Sequence, residues 1–227
     1  MIECIKTLLT YIPIIKKFRQ FGKRYNERYA VSFIKFIMFQ VIPVKYLGFF
    51  FEKTQYMPID KYSSILRGNV FVGKCTRVQR SGCYIQGRGK VFIGDYVGIA
   101  SNVAIISGNH DLYNQDLVTR KETIIGDHCW IATNSNIMAG VVLGPRTIVG
   151  AGSVVTKSFP EGHCVIAGNP AKLIKILKKE EMNYPKDDVE FYGYLDKDRF
   201  KSYYDCYYKD LHFDFPVYQV TNNELFK

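Results

Sequence analysis

The 227-residue chain is poor in the features that mark metal-bound or disulfide-bonded domains. Its six cysteines (Cys4, Cys75, Cys83, Cys129, Cys164 and Cys206) are scattered, and no Cys-x-x-Cys pair or close-spaced Cys/His cluster occurs. That spacing signals neither a zinc site nor a disulfide framework, and reduced thiols are expected. There is no uninterrupted apolar run of about 20 residues, the length a membrane span wants. The most apolar stretch, Val31–Phe51, is broken by Lys35, Gln40, Pro43 and Lys45. A secretory leader is not expected, because Met1–Leu9 already mixes Glu3 and Lys6 into its apolar residues and no A-x-A-like site follows. The net charge of +10 comes with no nucleic-acid recognition motif, so no nucleic-acid partner is inferred. Residues 1–60 carry +6, 61–180 carry +8 and 181–227 carry −4. Such asymmetry suits a phosphate-rich or membrane-surface partner for the front two thirds.

What the chain does have is a period of six. Ile93, Ile99 and Ile105 set the step, and Ile125, Ile131, Ile137, Leu143, Val149 and Val155 resume it. A fainter stretch runs through Leu66, Val72, Val78 and Tyr84. Compact residues stand four places after the aliphatic ones: Val97, Val103, Cys129, Ser135, Val141, Thr147 and Ser153. Neither a helix nor an alternating strand has this period. A triangular coil does: each unit is a short strand and a corner, and three units make a turn of 18 residues, with parallel strands stacked about 4.8 Å apart. The aliphatic side chains then share an inward column. Gly94-Asp95, Ser101-Asn102, Gly126-Asp127 and Asn134 are expected at corners of positive φ.

From Ile105 to Ile125 is 20 residues, not a multiple of six, so a segment must leave the coil. It reads Gly108-Asn109-His110-Asp111-Leu112-Tyr113-Asn114-Gln115-Asp116, polar and turn-prone. Loops ejected from a rigid scaffold are where chemistry is usually placed.

With IGDYVGIASNVAIISGNHD and IIGDHCWIATNSNIMAGVVLGPRTIVGAGSVVTKSFPEGHCVIAGNPAKLIK, the chain resembles the hexapeptide-repeat acyltransferases, which include maltose, galactoside and polysaccharide O-acetyltransferases. The resemblance covers about residues 93–175. It implies a mainly β fold, a left-handed parallel β-helix, with an N-terminal helical segment and a C-terminal helix plus aromatic-rich tail. It implies a homotrimer and an acetyl-CoA-dependent O-acetyltransferase. The acceptor would be a saccharide, or a lipid- or nucleotide-linked sugar, of capsule, O-antigen or exopolysaccharide synthesis. By the same resemblance His110 is the catalytic base, with Asp111 or Asp116 or a backbone carbonyl holding its ring. Thr133, Ala151, Thr156, Lys157 and Lys175 would bind the cofactor, and Asn109 and Trp130 the acceptor. No metal is expected: His128 and His163 lack the spacing of the β-helical carbonic anhydrases and are read as solvated. N-acetylation of an amino-sugar nucleotide, acetylation of an antibiotic, and a non-catalytic trimeric scaffold remain open alternatives.

The flanks fall outside the motif. The expected division is a basic, apolar helical segment over 1–60, the coil over 61–170 with its excursion loop over 107–124, and a helix and Tyr-rich tail over 171–227. Leu173, Ile174 and Leu177 are read as the buried stripe of a helix Ala171–Glu181. Residues 1–51 are read as helices capping the open end of the coil, as a peripheral membrane contact, or as both. The expected location is the cytoplasm, at the inner face of the plasma membrane if that contact forms. Residues 181–227 hold 13 Tyr and Phe, as a sugar-stacking surface or, more commonly, as rings buried against their own domain.

Overall fold

In a computed structural model that describes residues 13–25, 33–51, 56–59, 62–66, 69–78, 80–183 and 190–209, the six-residue step becomes three parallel sheets visited in rotation. The first holds Ser64–Leu66, Tyr84–Gln86, Ala104–Ile106, Asn136–Ile137 and Val154–Val155. The second holds Val70–Val72, Lys90–Ile93, Glu122–Ile125 and Val142–Leu143. The third holds Gly98–Ile99, Trp130–Ile131, Thr147–Val149 and Cys164–Gly168. Trp130 pairs with Ile148, Asn136 with Val154 and Ile124 with Val142, each partner eighteen residues away, the length of three six-residue units.

The aliphatic column points inward as the period predicts. Ile93, Ile99, Ile105, Ile125, Ile131, Ile137, Leu143, Val149 and Val155 are all buried, and so are the compact residues four places on. The polar members of the second set are satisfied locally. The Ser135 hydroxyl donates to the Ala132 carbonyl and Thr147's to Gly144's.

The earliest turns depart from the six-residue step. Ile65 pairs with Ile85, and Ile85 with Ile105, at intervals of twenty. Extrapolating sixes backward therefore lands one residue off, on the opposite face of the strand. Leu66 is exposed and Tyr84 half-buried, while the adjacent Ile85 takes the inward place. The corners need a second correction. Left-handed backbone falls three residues after seven of the nine inward aliphatics, at Tyr96, Asn102, His128, Asn134, Gly140, Arg146 and Gly152. Asn102 and Asn134 meet the expectation. Gly94 and Gly126 do not have positive φ: their lack of a Cβ serves close stacking, since one added at Gly94 would lie 2.8 Å from the Asp127 backbone nitrogen.

The helix expected over Ala171–Glu181 is absent. Ala171–Ile176 is a strand, antiparallel to Cys164–Gly168, and only Lys179–Glu181 makes a single 3₁₀ turn. The free edge of the third sheet offers this segment a backbone ladder, and a short helix with two β-branched isoleucines cannot compete with it. Leu173, Ile174 and Ile176 are consequently exposed rather than forming a buried stripe.

Among the described residues, four helices surround the start of the coil: α1 Pro13–Tyr25, α2 Phe33–Val41, α3 Val44–Phe50 and α4 Lys197–Tyr207. The two flanks share one aromatic core. Phe21 meets Phe191 and Tyr194 at centroid distances of 5.5 and 5.3 Å, and Phe200 stacks on Tyr192 at 3.8 Å. Phe71, on the outer side of the second sheet, stacks on Phe92 and meets Phe200 and Tyr208. The Tyr56 hydroxyl donates to the Val72 carbonyl and accepts from its N–H, and Tyr208's donates to Val70's carbonyl. Arg199 reaches the Phe39 and Ile42 carbonyls at the C-terminal end of α2, and Lys17 reaches Asp196. The capping expectation for the N-terminal helices is met. The Tyr-rich tail buries Phe191, Tyr192, Tyr194, Tyr203 and Tyr208 against its own chain, so these rings offer no sugar-stacking platform.

Candidate active site

The segment that leaves the coil is a small antiparallel hairpin, Gly108–His110 against Val118–Arg120, emerging between the first and second sheets. Ser107 anchors its base: its buried hydroxyl donates to the Gln86 carbonyl and accepts from the Gly89 N–H. The coil resumes at Glu122, where Thr123 donates to the Ile106 carbonyl and closes the gap left by the excursion. The hairpin is thus tied to the scaffold at both ends, while its tip, including Leu112 and Tyr113, stands in solvent.

His110 stands exposed at the end of the first hairpin strand. Its Nδ1 lies 2.6 Å from the Gln115 carbonyl and its Nε2 lies 2.9 Å from Arg88 Nη1. A carbonyl only accepts, so Nδ1 carries the proton, and Nε2 presents its lone pair to a guanidinium that only donates. The orienting group is therefore the backbone carbonyl rather than Asp111 or Asp116. Asp111 instead accepts from the N–H groups of Tyr113 and Asn114, capping its own loop, and these bonds hold its carboxyl below the usual range. Asn109 is exposed, and its carbonyl accepts from the Thr119 hydroxyl.

The other expected residues lie elsewhere on the coil. Thr156 and Lys157 are exposed on the same corner as the hairpin, one strand of the first sheet beyond Asn136–Ile137. Thr133 and Ala151 are exposed on the corner at the opposite edge of the first sheet, and the Thr133 carbonyl accepts from the Gly152 N–H. Trp130 is half exposed, with its ring against Gly98: a Cβ there would be 2.6 Å from Trp130 Cε3. Lys175 is exposed on the antiparallel strand of the third sheet, opposite Val165. Within one chain, then, His110, Asn109 and the Thr156-Lys157 pair share a corner, while Thr133 and Ala151 do not join them.

His128 is not a solvated corner residue. It is partly buried and stacks on Tyr96, 5.0 Å between centroids with a 3° interplanar angle. Burial, helped by the Arg146 charge, lowers its pKa to about 4, so its ring is neutral. Beside it, Asp127 accepts from the Asp95 N–H and Asp95 from the Lys74 N–H, turn upon turn. Burial and the neighbouring Asp127 push the Asp95 carboxyl up to about 7. Lys74, 2.7 Å from Glu190, ties this column to the C-terminal segment. The ladder is structural, packing one turn on the next. His163 is half-buried with Nδ1 3.4 Å from the Glu161 carbonyl. Among the described residues, no group of three or more His, Cys, Asp or Glu is placed to hold a metal ion.

Sequence reading missed Arg88 and Gln115, the two partners of the imidazole, and the pair Arg120-Lys121 on the returning strand. Arg88 was findable from the twenty-residue interval of the early turns, which sets it level with Gly108, two residues from His110.

Three stacked parallel sheets with a histidine on a hairpin ejected from one corner define a repeat-built coil. Residues 122–157 match the family described as bacterial transferase hexapeptide (six repeats). The putative colanic acid biosynthesis acetyltransferase WcaF of Escherichia coli is 36% identical over 88 residues, 38% of this chain and 48% of that protein. The galactoside O-acetyltransferase of Escherichia coli is 35% identical over 98 residues, 41% and 48% of the two chains. The hexapeptide-repeat-containing acetyltransferase VCA0836 of Vibrio cholerae shares the fold, with a TM-score of 0.50 over 71% of this chain and 90% of that one, at 21% identity. The likeness to the hexapeptide-repeat acyltransferases is thus shown by family match and relatives together. The chain spans about half the length of these curated relatives.

Proposed function

We propose that this chain is an acetyl-CoA-dependent O-acetyltransferase acting on a saccharide hydroxyl, built as a homotrimer of left-handed parallel β-helices, with His110 as its general base. The observation that carries the reading is the imidazole of His110: Nδ1–H is fixed on the Gln115 carbonyl, so the basic lone pair is on Nε2, where Arg88 Nη1 lies 2.9 Å away. A neutral imidazole can accept a hydroxyl proton as general base. As Nε2 takes that proton, the hydroxyl oxygen attacks the thioester carbonyl. The tetrahedral oxyanion collapses, the carbon–sulfur bond breaks, and the proton passes from Nε2 to the departing CoA thiolate. Thr133, through its backbone N–H, is the proposed oxyanion donor. Ala151, Thr156, Lys157 and Lys175 are the proposed cofactor contacts, and Asn109 and Trp130 the proposed acceptor contacts.

The proposed trimer accords with where these residues stand. Thr133 and Ala151 occupy one edge of the first sheet's face and His110 with Thr156-Lys157 the other, so in the proposed assembly a neighbouring coil supplies the half that each edge lacks. The relatives named for galactoside and colanic acid chemistry support a saccharide acceptor.

The location proposed is the cytoplasm, with the N-terminal helices at the inner membrane surface. No described helix is long and apolar enough to cross a membrane. Ile34, Val41, Tyr46 and Phe49 are nevertheless exposed on α2 and α3, and Lys16 and Arg19 are exposed on α1, the composition of an interfacial helix set. Sedimentation with anionic phospholipid vesicles, but not with neutral ones, is expected; no sedimentation with either removes the membrane contact.

The test of the activity is a thiol-release screen of the full chain with acetyl-CoA and a panel of free, nucleotide-linked and lipid-linked sugars. A product whose new bond is cleaved by mild base is an ester and supports O-acetylation. A base-stable amide overturns it in favour of N-acetylation, and no release with any acceptor favours the scaffold reading.

A further inference from the structure

Next to the hairpin lies a cleft of about 360 Å³ whose charged lining is Arg88, Lys90, Arg120, Lys121 and Glu122. Lys90 Nζ is 2.7 Å from the Glu122 carboxylate, so that pair is internally balanced. Two further cations, Arg88 and Arg120, then face a cleft that holds no second carboxylate among its described lining residues; Lys121 borders it through its backbone beside Gly89, while its side-chain stem lies on Gly140 one turn further along.

The hairpin register connects this cleft to the base. Gly108 opposes Arg120 and His110 opposes Val118, and opposed residues and those two apart share a face. His110 and Arg120 therefore stand on one face, with Gly108 beside them. A Cβ at Gly108 would sit 2.9 Å from Arg88 Cβ, so the missing side chain lets Arg88 run across that face to His110 Nε2. One guanidinium thus both lines the cleft and donates to the lone pair that the proposed reaction requires. While that bond stands, Nε2 cannot take a hydroxyl proton. A guanidinium pairs with a phosphoryl group through two parallel bonds between opposite charges, against the one bond it makes to the neutral imidazole, so an anion in the cleft competes for Arg88.

Resting on the reading of His110 as base, we propose that the sugar acceptor carries a phosphoryl group, that Arg88 and Arg120 hold it in this cleft, and that its arrival draws Arg88 off His110 Nε2. Two unbalanced cations match the two or more charges of a diphosphate better than the single charge of a sugar carboxylate. The cleft belongs to the acceptor rather than to CoA because of its place along the coil. Arg88–Lys90 lie one turn toward the N-terminal end from the hairpin, whereas Thr156-Lys157, the proposed cofactor pair, lie two strands of the first sheet toward the C-terminal end. Acceptor and donor then approach the imidazole from opposite sides. Arg88 is in this account a binding and positioning residue: the proton still moves from the hydroxyl to Nε2.

The test reads the imidazole directly. In full-length protein labelled with ¹⁵N-histidine, titration with inorganic pyrophosphate is expected to shift the His110 Nε2 resonance saturably. The affinity should fall at least tenfold in R120Q, a change at an exposed side chain that leaves the fold in place. In R88Q the Nε2 resonance should no longer follow pyrophosphate. No saturable shift, a shift untouched by R120Q, displacement of pyrophosphate by acetyl-CoA, or equal affinity for glucuronate would each overturn the proposal. In turnover, a uridine-diphosphate sugar and a polyprenyl-diphosphate sugar in detergent micelles separate the two sources of the phosphoryl group, and preference for either over the free sugar supports the cleft. Turnover that depends on His110 but is as fast with the free, neutral sugar removes the phosphoryl proposal and leaves the acetyltransferase reading standing. Turnover that survives loss of His110 removes that reading itself.

Discussion

Between Ile93 and Val155 the coil builds its interior from one aliphatic side chain every six residues, each in nearly the same surroundings. The cap over its first turns does the opposite. It relies on large rings that meet once each, such as Phe21 with Phe191 and Tyr56 with Phe200, pairs that lie more than a hundred residues apart in the chain. The coil spreads its stability over equivalent small units, whereas the cap concentrates it in a few aromatic contacts. Single substitutions should therefore cost more in the cap than in the coil.

The largest expected effect is Phe200→Ala. This ring is fully buried among Tyr192, Tyr56, Phe71 and Tyr203, and large-to-small changes at such sites cost about 3–5 kcal/mol. Urea unfolding should show the loss, and an unchanged midpoint would mean the cap is not part of the cooperative unit. Tyr56→Phe comes next. It strips one hydroxyl from both the N–H and the carbonyl of buried Val72, at about 1–3 kcal/mol. Ile137→Val removes one methylene from the column and should cost about 0.5–1.5 kcal/mol in the same assay. A cost there equal to that of Phe200→Ala would erase the contrast between cap and coil.

The last effect is a change with pH. Asp95 has a folded-state pKa near 7, above the unfolded value of about 3.9, so the native state holds its proton more tightly. Its contribution is fully present below about pH 4 and is lost as pH rises through 7. Asn at this position keeps an acceptor for the Lys74 N–H but cannot ionise. The stability of Asp95→Asn relative to the parent should therefore improve between pH 4 and pH 8. A difference that stays flat with pH would show that the carboxyl is not desolvated by the stacked turns.

This contrast also explains what could be read from the residues alone. The period of six displays the inward column and the ejected loop because each repeat reports the same geometry again. Extrapolated to Leu66 and Tyr84 it fails, because the early turns are two residues longer and one strand position turns a side chain to the other face. Ala171–Glu181 reads as a helix because Leu173, Ile174 and Leu177 fall at helical spacing with no breaker among them, while the sheet edge that captures Ala171–Ile176 exists only in three dimensions. At the site, His110 stood out by its place in the motif, yet its partners Arg88 and Gln115 are set by the hairpin's register. The buried rings of the cap carry no local pattern at all, since each is defined by a partner from the far end of the chain.

The central claim is that Nε2 of His110 removes the proton from the acceptor hydroxyl. It is tested most directly by kcat for CoA release in His110→Ala, measured beside a sedimentation check of assembly. The account predicts a fall in kcat of about 10²–10⁴-fold with the oligomer unchanged. A variant that assembles normally and turns over at the parental rate would contradict it.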